Sequence, residues 1–246
     1  MSADRQEIEW QYEAPYGLEK VEEWLGGRDP GRFGLAVLGG SFKELKDTYY
    51  DTEDWRLYHS GWALRVRREA LDEYFEATMK SLGPAEGNLH RRRETSEPLK
   101  SSEVDALREA PGSVGVRLRA LLGPRGLRRI FEVRTRRRIF ALLLDEQEAD
   151  KAQTAGPTDT FRIGEVVLDS SEIPAGDGSV ILSRVEVEVD ASATIAISKL
   201  GDFVAAMEET LGLRPTAISK YEAGLSATGH SSKGKANFEA KPEKKG

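Results

Sequence analysis

The chain has 246 residues, of which 39% are hydrophobic and 32% charged, a composition typical of a folded protein with one large or two small domains. It contains no cysteine, which excludes disulfides, thiolate metal sites and a cysteine nucleophile, so a bound metal needs oxygen ligands or one of three histidines. The net charge of −6 argues against nucleic-acid binding, and without a long apolar segment or a signal-peptide core we expect a cytoplasmic protein that does not bind membranes.

The first predicted strand, Glu7–Tyr12, carries two carboxylates on one face. A period of two places Glu7, Glu9 and Gln11 together, with the apolar side chains opposite. The two carboxylates lie about 7 Å apart and repel each other unless water, a cation or basic side chains offset them. The predicted strand Val180–Asp190 near the end of the chain repeats this pattern with Glu186 and Glu188.

Basic residues alternate along the strands between these two acidic ones. The strands Trp62–Glu69 and Tyr74–Leu82 form a predicted hairpin. The first arm places Arg65 and Arg67 on one face, and the second places Lys80 on a face with Glu76 and Thr78. A further strand, Leu89–Glu94, aligns three polar side chains: His90, Arg92 and Glu94.

The remaining elements complete a chain rich in short strands. The residues between Arg128 and Asp145 form one long bent strand or two, and residues 148–160 form a polar loop. The other predicted strands are Gly34–Leu38, Lys43–Tyr50 and Phe161–Asp169. The predicted helices are Leu18–Leu25, a turn at Trp55–Tyr58, 97–110, Ser113–Leu122, Ala193–Leu211 and Thr216–Leu225.

These elements predict an α+β protein, an antiparallel barrel or sheet with peripheral helices. We expect residues 1–225 to form one domain and residues 226–246 to form a disordered basic tail. A small barrel normally fills its interior with apolar side chains. Charged side chains facing inward therefore indicate water, ions or a ligand, and acidic outer strands around basic middle strands suit a polyanion with its divalent metal.

The order of these motifs resembles the CYTH superfamily, also called triphosphate tunnel metalloenzymes, from about Glu7 to Leu225. Glu7-Ile8-Glu9-Trp10-Gln11 is similar to the family's Glu-x-Glu-x-Lys signature. Later segments match in order; they are Asp47–Thr52, Leu64–Arg67, Thr78–Lys80, Arg92–Glu94, Leu168–Asp169, Glu186–Glu188 and Ser219–Tyr221. The resemblance implies an eight-stranded antiparallel tunnel that binds triphosphate with Mg²⁺ or Mn²⁺.

Family members hydrolyse inorganic triphosphate, thiamine triphosphate or nucleoside triphosphates, and some are adenylate cyclases. The pattern here is closest to the inorganic triphosphatases. The resemblance implies that six carboxylates coordinate metal: Glu7, Glu9, Glu94, Asp169, Glu186 and Glu188. It also implies that the phosphate oxygens are held by Arg65, Arg67, Lys80, Arg92, Arg134, Arg136 and Lys220. Catalysis is assigned in the same way to Glu7, Glu9 and Lys80.

One departure from the family pattern leaves alternatives open. Gln11 stands where the signature has a lysine, and a neutral amide supplies no charge to a phosphate. The chain could therefore be a triphosphatase, an adenylate cyclase, or a non-catalytic module that binds polyphosphate or a nucleotide. His90 is interpreted as a hydrogen-bonded structural residue, and the formation of a homodimer stays open.

Overall fold

A computed structural model of the chain describes residues 3–83, 86–144, 162–190 and 196–230. Eight antiparallel strands close into a barrel, which confirms the predicted architecture. The strands are β1 (Ala3–Glu13), β2 (Leu35–Asp51), β3 (Trp62–Glu69), β4 (Phe75–Ser81), β5 (Leu89–Leu99), β6 (Arg128–Leu144), β7 (Arg162–Ala175) and β8 (Gly178–Val189), with a short β9 (Arg214–Pro215) outside.

Strand β1 closes the barrel because it pairs with two strands. Residues Ala3–Trp10 pair with β5, and residues Glu9–Glu13 pair with β8. The order around the ring is β5-β4-β3-β2-β6-β7-β8-β1, and β9 adds to the free part of β1. The carboxylates of β1 therefore lie between β5 and β8, and the pairing with β8 brings the distant Glu188 beside Glu9.

Helices cover the barrel from outside and at one end. They are α1 (Leu18–Leu25), a 3₁₀ turn (Pro30–Phe33), α2 (Arg56–His59), α3 (Val104–Glu109), α4 (Ser113–Leu122), α5 (Ala196–Leu211) and α6 (Lys220–Ala227). α1 and α5 pack on the outward apolar side chains of β6, β7 and β8, and α3 and α4 pack on those of β3 and β4. Among the described residues, no helix has the length and apolar character needed to cross a membrane.

Helix α6 packs against the barrel end formed by the last residues of β2 and the first of β6. The Tyr49 ring lies 4.7 Å from Phe131, and Tyr221 of α6 packs against both rings. Gly224 fits closely here, since a Cβ atom at this position would lie 2.0 Å from the Phe131 ring. The N-terminus of α6 is fixed by a capping box between Ser219 and Glu222. The helix is therefore held in one position across this end.

Several predicted boundaries were wrong. The glycines at 39 and 40, predicted as a turn or a bulge between two strands, form the bulge, but it lies inside one long strand, β2. Residues 97–99 extend β5, so the helix predicted over 97–110 begins only at Val104. β6 is a single strand, which is one of the two alternatives predicted for it, whereas β7 continues beyond its predicted end at Asp169 to Ala175. Helix α6 includes two residues of the predicted tail, Ser226 and Ala227. The predicted loop 148–160 and the tail from residue 231 lie outside the described residues.

Candidate active site

The barrel encloses a cavity of about 470 Å³. Its walls are side chains from alternate strand positions, as the pleat of a strand requires. Most of the residues predicted for the site line this cavity: Glu7, Glu9, Arg65, Arg67, Lys80, Arg92, Glu94, Glu186, Glu188 and Lys220. The strand alternation thus brings predicted acids and predicted bases into one space.

Three carboxylates form a cluster on neighbouring strands. Glu7, Glu9 and Glu188 each offer an oxygen, and these oxygens all lie within 4.8 Å of one another. Burial and the charge of Glu7 raise the pKa of Glu9 to about 7. Burial and the charges of Glu7 and Glu9 raise the pKa of Glu188 to about 8. Burial and mutual repulsion therefore disfavour the ionisation of Glu9 and Glu188 beside Glu7 in the metal-free protein, and an oxygen-only donor set of this kind fits Mg²⁺ or Mn²⁺.

The hydrogen bonds of Glu9 fall on one of its two oxygens. Oε1 accepts from Gln11 Nε2 at 2.7 Å, from Arg92 Nη1 at 3.3 Å and from Lys80 Nζ at 3.4 Å. These three donors fix the orientation of a carboxylate that is only 1% exposed. The Gln11 amide is consequently part of the carboxylate's support, and its own Oε1 is buried without a hydrogen-bond partner among the residues that the structure describes.

Lys80 links the carboxylate cluster to the basic wall. Its ammonium contacts Glu7 and Glu9 and lies 3.9 Å from Glu94. Burial lowers the pKa of Lys80, but the negative charges of Glu7 and Glu9 outweigh it and hold the pKa above its usual range. Arg5 Nη2 donates to the other oxygen of Glu94 at 3.1 Å. Glu94 is thus paired with two cations, and its pKa lies below the usual range because Lys80 and Arg65 outweigh its burial.

A second group pairs two predicted metal ligands with cations. Arg137 donates to both oxygens of Asp169, at 2.8 and 2.7 Å, and to Glu186 at 3.2 Å. Lys220 at the start of α6 contacts Asp169 and lies 2.7 Å from Glu186. Burial raises the pKa of Glu186, but Lys220 and Arg137 outweigh it and bring the pKa well below the usual range. Asp169 and Glu186 therefore orient cations, apart from the cluster of Glu7, Glu9 and Glu188.

Arg65 and Arg67 on β3 differ in how many of their donors have hydrogen-bond partners. Arg67 forms a bidentate pair with Asp47, because its Nε and Nη2 donate to the two carboxylate oxygens at 2.7 and 2.8 Å. Arg65 lies 3.8 Å from the same aspartate, and within the described part of the chain its guanidinium donates only to Thr78, at 3.4 Å. Its buried Nε has no partner among these residues. Arg65 is therefore a guanidinium with donors available to an anion, and sequence reasoning did not identify Asp47 as its counter-ion.

The arginines of β6 are placed differently from the sequence expectation. Arg134 and Arg136 are exposed on the outer face of the strand, whereas Arg137 lines the cavity. The sequence of the same strand indicates which face is outward. Phe140, Leu142 and Leu144 are an even number of residues from Arg134 and Arg136, so they share the face of those arginines, and they pack outward under helices. Arg137 therefore takes the place of both in the proposal below.

Comparisons with known proteins agree with this architecture. The model of a family described as the CYTH domain matches residues 34–221. A protein from Hippeastrum, described as a candidate adenylyl cyclase with a dominant triphosphatase activity, superposes with a TM-score of 0.58 at 15% identity, covering 90% of this chain and 96% of that one. A candidate adenylate cyclase from Bacillus halodurans superposes with a TM-score of 0.55 at 21% identity, covering 89% and 97%. At these identities the structural likeness concerns the fold.

Proposed function

The chain belongs to the CYTH domain family, and from that premise we propose that it is a divalent-metal-dependent triphosphatase. One observation carries the proposal. The carboxylate cluster of Glu7, Glu9 and Glu188 lies in the same cavity as Arg65, whose guanidinium is under-bonded. The cluster suits a divalent cation, and the arginine suits a phosphate oxygen.

The metal would be Mg²⁺ or Mn²⁺, held by Glu7, Glu9 and Glu188. The donor chemistry fits either ion, since all three ligands are carboxylates and two of them have raised pKa values that a cation would lower. When bound, such an ion supplies charge neutralisation at phosphate oxygens and activation of water. Glu94, Asp169 and Glu186 stand outside the cluster of Glu7, Glu9 and Glu188, so in this proposal they are not first choices as ligands.

The chain's own residues bind and orient the phosphate chain. Phosphoryl transfer requires positioning and electrostatic stabilisation more than a reactive side chain. Arg65 and Arg92 offer guanidinium donors, and Lys80 stays protonated because two glutamates hold its pKa high. Arg137 and Lys220 form the opposite wall, each held by Asp169 and Glu186. These carboxylates keep the two cations in place before a substrate arrives, which lowers the cost of ordering them on binding.

Inorganic triphosphate is the substrate that the charged lining of the cavity favours. The lining around the carboxylate cluster consists mainly of charged side chains, and a bare triphosphate requires only cations and a metal. A nucleoside triphosphate would need an additional site for its base. The proposal therefore places inorganic triphosphate above thiamine triphosphate and nucleotides as the substrate.

A substrate panel tests the proposal. Purified protein is incubated with triphosphate, thiamine triphosphate or ATP in the presence of Mg²⁺, Mn²⁺ or a chelator, and phosphate release is measured. We expect metal-dependent release with triphosphate and its loss in Glu9→Gln, while the variant stays folded. No phosphate release with either metal rejects the proposal. Chromatography of the ATP reaction separates hydrolysis from cyclisation, since only a cyclase forms cyclic AMP.

A binding module is the second candidate, and Gln11 is the observation that favours it. The amide supports Glu9 but brings no positive charge to the cavity. Tight triphosphate binding by calorimetry without turnover would favour this candidate. Gain of turnover in Gln11→Lys would strengthen it, because the added charge would then be what catalysis lacked.

A further inference from the structure

A buried histidine lies directly behind one of the proposed phosphate-binding arginines. His90 is 1% exposed and does not line the cavity, while Arg92 lines it. Arg92 Nη2 contacts His90 Nδ1, and Arg92 Nη1 donates to Glu9 Oε1 at 3.3 Å. The guanidinium is therefore held between a carboxylate on one side and an imidazole on the other.

The partners of His90 determine its tautomer. An arginine can only donate, so Nδ1 must be the unprotonated acceptor. On the other side of the ring Nε2 lies 3.2 Å from the carbonyl oxygen of Thr216, which can only accept, so Nε2 carries the proton. Burial and the neighbouring positive charge of Arg92 lower the pKa of His90, which favours this neutral form. The ring thus presents one defined acceptor to Arg92.

The second bond of the ring connects Arg92 to the segment that precedes α6. Thr216 also donates its backbone N–H to the carbonyl of Gln11 at 3.1 Å. Two residues further on, the carbonyl of Ile218 accepts from Arg184 at 2.5 Å. The segment then enters the capped N-terminus of α6, where Lys220 reaches the cavity. His90 therefore joins two walls of the site, the guanidinium of Arg92 and the backbone that delivers Lys220.

We propose that His90 is a positioning residue that fixes the Arg92 guanidinium for the phosphate chain through its Nδ1 atom and anchors the segment before α6 through its Nε2 atom. The inference rests on the proposed function, since it assigns Arg92 to triphosphate. His90 itself touches neither substrate nor metal in this role. Its contribution is the orientation of a long side chain that would otherwise adopt several rotamers on substrate binding.

Two amide variants test the two hydrogen bonds of the His90 ring one at a time. In His90→Asn the amide oxygen replaces Nδ1 as acceptor for Arg92, and the bond to Thr216 is lost. In His90→Gln the amide nitrogen can replace Nε2 as donor to Thr216, and the acceptor for Arg92 is lost. We expect the KM for triphosphate to rise about tenfold in His90→Gln, the value of one charge-assisted hydrogen bond, with kcat changed less than twofold. His90→Asn should raise KM by no more than about threefold, because it keeps the bond to Arg92 and loses only the anchor of the segment before α6.

A double-mutant cycle with Arg92→Gln tests whether the effect passes through the guanidinium. Without that group, His90→Gln should raise KM by less than about twofold further, because its partner is gone. Equal losses in His90→Asn and His90→Gln, or effects of His90→Gln and Arg92→Gln that multiply fully, would overturn the inference. If the wild type shows no turnover, the proposed function fails, and the same comparison is made on triphosphate affinity by calorimetry.

A measurement on the wild-type protein avoids the question of folding in the variants. The chain has three histidines, so long-range ¹⁵N–¹H spectra contain three ring patterns. Substitution of His59 and His230 in turn assigns them. We expect the His90 ring at pH 7 to show the Nε2-protonated neutral pattern, with a shift of its Nδ1 resonance on addition of triphosphate. An Nδ1-protonated ring, an imidazolium, or an Nδ1 resonance unchanged at saturating triphosphate would contradict the role of His90.

Discussion

Replacement of Glu188 by glutamine should stabilise the metal-free protein at neutral and alkaline pH while weakening its metal binding. Glu188 lies in the carboxylate cluster with Glu7 and Glu9, where burial and those two charges raise its pKa to about 8. A carboxyl group whose pKa is raised on folding destabilises the folded state at every pH above its pKa in the unfolded chain. An uncharged glutamine removes this repulsion, and it also removes a metal ligand.

The magnitude follows from the pKa shift. The folded protein binds a proton at Glu188 up to about pH 8, whereas the unfolded chain loses it near the ordinary value of 4.5. The free energy of unfolding therefore falls as the pH rises from about 4.5 to 8, and the loss is complete above pH 8. Each unit of pKa corresponds to about 1.4 kcal/mol, so the ceiling is a few kcal/mol, reduced by solvent that reaches the side chain through the cavity. The melting temperature should rise by about 5 °C in the variant at pH 8.5.

The assay compares melting temperatures in chelator between pH 5 and pH 8.5, then repeats the series in Mn²⁺ or Mg²⁺. Glu186→Gln is the matched control, since Glu186 lies two residues away on the same strand but is paired with Lys220 and Arg137. Its pKa is lowered on folding, so its stabilising contribution is present above about pH 4.5. The control variant should therefore be less stable than wild type at neutral pH, and the two substitutions should act with opposite sign.

Added metal should make the melting temperature of wild type higher than that of Glu188→Gln, the reverse of the order in chelator. Binding stabilises the folded state by an amount that grows with the logarithm of the affinity, so wild type should gain more than the variant. A metal-free Glu188→Gln protein that is less stable than wild type at pH 8.5 would refute the claim that the ionised Glu188 carboxylate destabilises the folded protein. Equal stabilisation of both proteins by metal would refute the role of Glu188 as a ligand.

Three further substitutions test other parts of the site. Arg65→Gln should raise the KM for triphosphate at least tenfold, measured by phosphate release, because an under-bonded guanidinium is lost; an unchanged KM would remove this arginine from the site. Arg137→Gln should reduce kcat/KM at least tenfold while Arg136→Gln, an exposed neighbour, should change it less than twofold; equal effects would contradict the observed parity of β6. Gly224→Ala should lower the melting temperature by several degrees and weaken turnover, since its methyl group would overlap the Phe131 ring and displace α6; thermal unfolding at wild-type temperature would contradict this packing.

The barrel could be predicted from the sequence because polar alternation persists along its strands. Glu7 and Glu9 share parity, and so do Arg65 and Arg67, and a strand transmits that parity directly into a common face. The meeting of Glu9 with Glu188 across the closure of the barrel is a property of strand pairing. From the sequence, this meeting of Glu9 and Glu188 could be predicted only through the resemblance of the ordered motifs to the family.

The errors in prediction arose where tertiary packing determines the structure. The predicted helix over 97–110 failed at its start because Glu97 lies on β5 and accepts three backbone N–H bonds from residues 112, 114 and 115, at the N-terminus of α4. That contact joins segments 15 to 18 residues apart, and local propensity does not record it. The arginine run of β6 does not by itself show which arginine points inward, because the apolar side chains that follow it alone fix which face is outward.

The counter-ions were a second limit of sequence reasoning. Asp47 pairs with Arg67, and Asp169 pairs with Arg137 and Lys220, through contacts between residues 20 to 51 positions apart. A sequence pattern can suggest that a carboxylate faces a cavity. It does not show which carboxylates meet in one cluster, as Glu7, Glu9 and Glu188 do, and that meeting separates the candidate metal ligands from the carboxylates that orient Arg137 and Lys220.

The most direct test of the proposed cooperation between acids and bases is calorimetry of triphosphate binding to the purified protein with Mn²⁺ and with chelator, using wild type and Glu9→Gln. The account predicts binding to wild type that is at least tenfold tighter with Mn²⁺, and little metal dependence in the variant. Equal affinity with and without metal in wild type, or the same metal dependence in Glu9→Gln, would contradict it.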